Sequence, residues 1–553
     1  MRIALLTEGG YPYARGEGGA WCDRLVRGLA HHEFDVYALS RSPRTEAGGR
    51  VDPAPPVRRV RAERLWGEPP APVRGGGRTA RRARRAAFRW HFGDLAAALA
   101  GVADTPDRRG PARGEPRAER AERFAAGLYG LAELAAEHGG LPGLLRSEDA
   151  LTALEAACRA PGARPLLGDI GVTGLLAVAA LLEHQLRPLS LPWYGPDELG
   201  AADLCHAVSG GPATLPGLLA KRFCGTPLIV TEYTVRVREA LLAHRAAGLP
   251  PAVRVLLGDY HRLLAAESYR QAALVTPGST HVRRWQERCG APADRVRTVH
   301  PGIDPGRFAR VGAQSEEEAR QPAARAEPTL AWVGRADPAK DLVALLHAFH
   351  AIRARQPRAR LRVFHAPVTD ERSAGYLGHC RGLAAQLFPD EAAHPHAAGE
   401  NPVTFEEIGS PGAPQPADAY AAGDVVLLSS SAEGFPLNLV EAMFCGRPTV
   451  STDVGAVREV IGGTGLIVPP RNPRALADAA LELLGGPERA TRLGAAARER
   501  ALALFTVTTC VHAFRDAYLS VVARHPVPRE PLHDATGAPR PFVAPAEALI
   551  PCR

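Results

Sequence analysis

Residues 430–448 read SSAEGFPLNLVEAMFCGRP, which places Glu433 and Glu441 eight positions apart on either side of a Gly-Phe-Pro-Leu-Asn turn. Before this stretch, Asp424 to Leu428 is a short, continuous apolar run with two β-branched residues, the pattern of a strand buried on both faces. After the turn, Leu437 to Phe444 suits a helix. Pro436 stands near its first turn, where a proline is tolerated, and Gly446-Arg447-Pro448 closes it. The order strand, loop, helix predicts an α/β fold with the loop at the carboxyl edge of an open sheet, where ligands bind. The free N–H groups of Leu437, Asn438 and Leu439 would point at that ligand, and a helix N-terminus favours an anion such as a diphosphate.

Carboxylates repel phosphate unless they face hydroxyls that can donate to them. A sugar nucleotide supplies such hydroxyls on both sides of its diphosphate, with Glu433 in the loop facing one set and Glu441 in the helix facing the other. Two glutamates alone fit equally well an acidic residue favouring the helix dipole plus a solvated helix glutamate.

The longer run EGFPLNLVEAMFCGRPTVSTDVGAVREVI resembles the E-x7-E signature of retaining glycosyltransferases of family 4, which have the GT-B fold of two Rossmann-like domains facing a central cleft. The resemblance implies that Glu441 binds ribose and that Glu433 lies near the transferred sugar. It also implies donor contacts from Gly434, Phe435, Pro436, Leu437 and Asn438. Upstream, Trp332 to Lys340 (WVGRADPAK) resembles the family's strand followed by Arg-x4-Lys, which implies that Arg335 and Lys340 hold the donor diphosphate. A guanidinium and an ammonium would stabilise a departing nucleoside diphosphate without a metal, and no cofactor is expected.

At 553 residues the chain is too long for one ordinary core and suits two domains with segments left over. Few Met, abundant Ala and Arg, and 50 Pro report codon bias. A formal charge of +8 favours anionic ligands in general, and no nucleic-acid motif accompanies it. Nine dispersed cysteines with no C-x2-C pair predict reduced thiols, neither a disulfide framework nor a zinc site. The opening MRIALLTEGG has too short an apolar run for a signal peptide, and Val172 to Leu182 falls short of a span of about 20 residues, so a cytoplasmic protein is expected.

Arg2 to Thr7 reads as a first parallel strand, Glu8 to Gly19 as a glycine-rich loop, Ala20 to Ala30 as a helix and Phe34 to Leu39 as a second strand. The glycines do not form G-x-G-x-x-G, so NAD binding is not inferred. EGGYPYARGEGGAWCDRLVRGL, with His206-x-Val208-Ser209 and Thr231-Glu232, resembles the PelF-type branch of family 4, the exopolysaccharide glycosyltransferases. That branch implies donor contacts from the loop at Gly16 and Gly18. Glu17 stands where the family usually has glycine, and an acidic side chain there would have to turn outward unless the loop serves an acceptor. Thr231-Glu232-Tyr233-Thr234 replaces the usual Thr-Glu-His-Gly, leaving Glu232 and Tyr233 as acceptor-side candidates. His206 ends a strand-like segment, Asp203 to Ala207, and is expected at the carboxyl edge facing the cleft as a catalytic candidate, although a lone histidine is more often structural.

The predicted organisation is an N-terminal acceptor domain over residues 1–312 with a helical, basic insertion at about 67–165, a linker at 313–328, and a donor domain at 329–505. A helix at 506–523 crosses back, and a tail at 524–553 looks disordered. Within the insertion, Arg74, Arg78, Arg81, Arg82, Arg84, Arg85 and Arg89 crowd an Ala-rich helix, a solvated face or one that touches phospholipid or an anionic acceptor. Thr105 to Arg123 reads as a mobile loop and Leu141 to Cys158 as helical. The expected activity is transfer of a hexose, from UDP-glucose foremost, to a glycan, lipid-linked or small-molecule acceptor. Contact with the inner membrane face or a polysaccharide synthase is the partner class this suggests. A glycoside hydrolase using the carboxylate pair, or a nucleotide-sugar-binding protein without transfer, are the rival readings.

Overall fold

The computed structural model describes residues 1–13, 16–47, 49–68, 78–102, 115–318, 327–368, 370–389 and 401–527. Twelve strands lie among them: β1 (Arg2–Glu8), β2 (Glu33–Ser40), β3 (Val57–Arg64), β4 (Leu204–Ala207), β5 (Leu228–Glu232), β6 (Leu274–Pro277), β7 (Thr329–Gly334), β8 (Arg360–His365), β9 (Val403–Glu407), β10 (Val425–Leu428), β11 (Thr449–Thr452) and β12 (Leu466–Val468). They form two six-stranded sheets, ordered β3-β2-β1-β4-β5-β6 and β12-β11-β10-β7-β8-β9. Neighbours pair in parallel, as at Leu5 with Val36 and Leu427 with Val450. Counted from its own first strand, each sheet has the order 3-2-1-4-5-6, so each has a switch point: between β1 and β4, and between β7 and β10.

Why these segments are strands is plain in β1 and β10, whose apolar runs are buried on both faces, as a sheet covered by helices on either side requires. Between β3 and β4, where such folds ordinarily place one helix, the chain inserts Arg78–Ala100, Glu115–His138, Leu141–Leu145, Glu148–Arg159 and Val172–Leu186. Phe88, Phe92, Phe124 and Leu128 are fully buried among them. The insertion therefore runs past 165, and Glu115 to Arg123 is helical where a loop was expected; residues 103–114 lie outside the described residues. Arg81, Arg82, Arg85 and Arg89 are exposed, with Arg85 bonded twice to Asp149 at 2.6 and 3.0 Å, while Arg74 lies outside the described residues.

Other boundaries also move. The first helix starts at Glu17, three residues earlier than expected, because Gly16 at φ 108° serves as its N-cap. Ala309–Glu318 is helical where part of a linker was expected, and residues 319–326 lie outside the described residues. Val296 makes an isolated bridge to Val275 at the edge of the N-terminal sheet. The last helix, Val507–Arg524, crosses back and packs Phe514, Tyr518 and Val521 against Ile3 and Leu5 of β1 and Phe34 and Val36 of β2. An isolated bridge from Ile303 to Thr506 marks where the two connections between the sheets run side by side. The tail expected to be disordered lies outside the described residues from 528 onward.

Candidate functional site

The loops after β7 and β10 meet at the second switch point. Asp337 accepts from the Ala339 amide and turns the chain so that Lys340 projects across to the β10 loop, where its Nζ lies 2.5 Å from Glu433 Oε1. Ser430 Oγ donates to the same oxygen at 2.6 Å. Both bonds fall on Oε1, so Oε2 is the atom left for a ligand hydroxyl. The two loops are stitched further by Ser429 Oγ to Lys340 O at 2.8 Å and the Ser431 amide to Ala339 O at 2.8 Å. Arg335 is exposed and has no ion-pair partner among the described residues.

The predicted helix forms at Leu437–Phe444 with Pro436 as its N-cap. Asn438 Nδ2 donates to Val333 O at 3.0 Å, which ties the helix start to the end of β7. Two of the three amides expected to be free are engaged locally, Leu437 N–H donating to Phe435 O at 3.0 Å and Leu439 N–H to Pro436 O at 3.1 Å, because the first turn closes on itself. Pro436 has no N–H to lose there. Gly434 and the carbonyl of Glu433 are held from behind by the Gly455-Ala456 turn. The Ala456 amide donates to Gly434 O at 3.0 Å, and a Cβ on Gly455, which has φ +58°, would fall 2.4 Å from Glu433 O. Phe435 packs on His300 and Phe505, with centroids at 5.8 Å from each.

Glu441 accepts from Tyr420 Oη at 2.7 Å. Burial pushes its carboxyl above the ordinary range, against the opposing pull of the Tyr420 bond and of the Arg307 charge. Glu17 and Arg24, on the first helix of the N-terminal sheet, also act on it, so the two sheets face each other across this point. Glu17 is turned back along its own helix and pairs with Arg24, which resolves how an acidic residue is accommodated beside Gly16 and Gly18. A Cβ on either glycine would meet nothing within 4 Å. A second interdomain contact lies at Gly434, where a Cβ would come 3.4 Å from Thr234 Cγ2 and Tyr233 O.

The N-terminal candidates are placed differently from expectation. His206 does not face the cleft. It is wholly buried, with Nδ1 2.7 Å from Tyr518 Oη and Nε2 2.6 Å from Thr231 Oγ1, and burial holds its pKa down to about 3. The crossing helix covers the end of β4 and takes the ring into the core. Glu232 is also buried, accepting at Oε2 from Tyr269 at 2.5 Å and Gln286 at 2.9 Å, and burial raises its carboxyl. Gly210 must be glycine there, since a Cβ would fall 2.1 Å from Glu232 Oε1. The Tyr233 ring stands edge-on to Trp21 at 5.0 Å, its hydroxyl directed inward.

At the first switch point, sequence reading missed Glu8, at the end of β1. Arg41 and Arg236 reach its Oε1 at 2.7 and 3.0 Å. Burial opposes its ionisation, yet the two arginines hold its carboxyl below the usual range. Tyr420 and Arg307 beside Glu441 were missed as well, because neither lies in the E-x7-E stretch. Among the described residues, no cluster of His, Cys, Asp and Glu could hold a metal ion, and no helix is long and apolar enough to cross a membrane.

Two facing sheets of this order, joined by a crossing C-terminal helix, define the GT-B class of two-Rossmann glycosyltransferase folds. Solved structures share the architecture along nearly the whole chain. Sucrose-phosphate synthase from Thermosynechococcus elongatus is 18% identical, with a TM-score of 0.53 over 95% of this chain and 99% of that one. Anabaena Alr3699/HepE in complex with UDP-glucose is 14% identical, with a TM-score of 0.51 over 94% and 100%. The chain belongs to the group 1 glycosyl transferases, whose model matches residues 327–485, and to the family described as a domain of unknown function, DUF3492, whose model matches residues 1–294. A D-inositol 3-phosphate glycosyltransferase of Frankia alni is 32% identical over 310 residues, 55% of this chain and 71% of the relative. One of Thermobispora bispora is 32% identical over 286 residues, and there the match spans 51% of this chain and 62% of the relative.

Proposed function

We propose that the protein is a retaining glycosyltransferase of the family 4 type that moves a hexose from a nucleoside diphosphate sugar to an acceptor held mainly by the N-terminal sheet. The observation that carries this is the bridge between the β7 and β10 loops, where Lys340 reaches Glu433 just ahead of helix Leu437–Phe444, with Arg335 exposed in the loop that follows β7. This reading assigns the two cationic side chains, with the helix start behind them, to a departing diphosphate. In this reading Arg335 and Lys340 stabilise the departing phosphates and Glu441 receives a ribose hydroxyl. Glu433 orients the hexose through Oε2 while Ser430 and Lys340 fix its Oε1. Glycine at 434 keeps side chains out of the passage between donor loop and Thr234. The carboxylates act on neutral hydroxyls, so no metal is required.

UDP-glucose is the donor to try first, supported by the resemblance of the E-x7-E segment and by the ligand named for the Anabaena neighbour. For the acceptor, the PelF-type resemblance supports a glycan or lipid-linked chain, whereas the names of the relatives support a phosphorylated polyol. The deciding experiment is a thermal-shift panel of UDP-, GDP- and ADP-sugars. A cognate donor at about 100 times its dissociation constant should stabilise the folded chain by roughly 2.7 kcal/mol. No shift with any nucleotide sugar would end the proposal. Release of free sugar from an uncharged glycoside would favour hydrolysis instead, and donor binding without transfer to any acceptor would leave a binding protein.

A further inference from the structure

One contact between the two halves is made by a glutamate outside the donor loop. Glu459 lies in the short helix Val457–Ile461, directly after the Gly455-Ala456 turn that backs Glu433 and Gly434. Its main chain is anchored within its own half, where Arg500 Nη2 donates to Glu459 O and Arg500 Nε to Val460 O, both at 2.9 Å. Its side chain points the other way, to the N-terminal half. Glu459 Oε2 accepts from the Thr280 amide at 2.7 Å and from Thr280 Oγ1 at 2.6 Å. Thr280 opens the helix Thr280–Arg288, so that amide is one of the donors a helix leaves unpaired, and it carries the positive end of the helix dipole. Glu459 Oε1 lies 3.8 Å from His300 Nε2, and the same imidazole packs against Phe435 of the donor loop and Phe505 beside the crossover.

We infer that Glu459 is a positioning residue: a clasp that couples closure of the two halves to the conformation of the donor loop. A rotation that opened the cleft would strip both Thr280 bonds from Glu459. The pull would reach Glu433 O and Gly434 O through three residues of chain, because Gly455 and Ala456 are packed against them. Conversely, a donor that fixes Glu433 and Gly434 fixes Ala456, which presents Glu459 to Thr280. The closed arrangement and the ordered donor loop are thus one state. This role rests on the glycosyltransferase reading for its kinetic consequence, but not for its geometry.

The test uses the full chain with Glu459→Gln, Thr280→Val and the pair together. Small-angle scattering in saturating UDP reads closure without any turnover, and UDP affinity and kcat are measured separately. Losing charge-assisted bonds of this kind should lower the closed population roughly tenfold or more. The expected result is a larger radius of gyration for both single variants than for wild type, and kcat reduced about tenfold with UDP affinity lowered much less. The double variant should be no worse than the more severe single one, since both remove one contact. Scattering curves identical for all four proteins would overturn the clasp, as would full additivity of the two changes. A wild type that closes through Thr280 and Glu459 yet binds no nucleotide would instead sink the functional proposal while leaving the clasp standing.

Discussion

Lys340 has two partners to serve in the proposed site, because its ammonium lies 2.5 Å from Glu433 and must also meet a diphosphate. Changing Glu433 to Gln removes the competing charge. UDP affinity should then hold or rise while transfer falls by roughly tenfold or more, read by calorimetry and by initial rates. Among the described residues Arg335 has no such competitor. Its replacement by Ala should weaken UDP binding about tenfold or more, the scale of a lost charged hydrogen bond, and equal binding by wild type and variant would remove it from the site. Glu441 allows a test in the absence of ligand. Burial raises its carboxyl in the folded chain, so above the ordinary glutamate pKa of about 4.3 the unfolded chain ionises first and stability is drawn off. Glu441→Gln should therefore raise the apo melting midpoint at pH 7, with the gain fading below about pH 4, and at the same time weaken UDP binding. A variant that melts lower than wild type at pH 7 would show that the ionised carboxylate is stabilising there.

At the level of elements, the turn behind the donor loop is the least forgiving piece. Gly455→Ala would place a methyl against Glu433 O in a left-handed conformation, a strain of about 1–2 kcal/mol before any clash is counted. Transfer should fall well beyond the loss in stability; unchanged kinetics would show that the turn does not position the loop. The β10–helix unit was legible in the sequence because Pro436, Gly446 and Pro448 punctuate it locally and each acts through its own backbone. His206 was not legible. Its surroundings come from Tyr518, 312 residues away, and no local pattern announces that a distant helix will cover a strand end. His206→Ala should accordingly lower the melting midpoint strongly, by several kcal/mol of lost packing and stranded hydroxyls, while protein that remains folded keeps most of its turnover per molecule. Abolished turnover at full stability would restore the catalytic reading. Glu459 escaped for a related reason: it reads as an ordinary helix glutamate until Thr280 is brought beside it.

Over the whole molecule, apolar runs betrayed the buried parallel strands and the chain length called for two domains, but the pairing of two facing sheets was implied by the resemblance of the E-x7-E segment to family 4. The insertion was harder to read, because alanine- and arginine-rich helices carry weak amphipathic signals and its loops give no period. The electrostatic design of the proposed donor site predicts that transfer survives EDTA, as Arg335 and Lys340 supply the positive charge and the glutamates are committed to hydroxyls. Activity abolished by chelation and restored by magnesium or manganese would make a carboxylate a metal ligand and require a different donor model.

The crossing helix also sets an order of events during synthesis. Phe514, Tyr518 and Val521 complete the packing against β1 and β2, yet the ribosome delivers them about 500 residues after the strands they cover. At roughly 5–20 residues per second, the apolar face made by Ile3, Leu5, Phe34 and Val36 waits some tens of seconds for its lid while the C-terminal sheet is still being made. The nascent N-terminal half is thus a natural client for chaperones, and a chain stopped short of residue 506 should be soluble only in their presence.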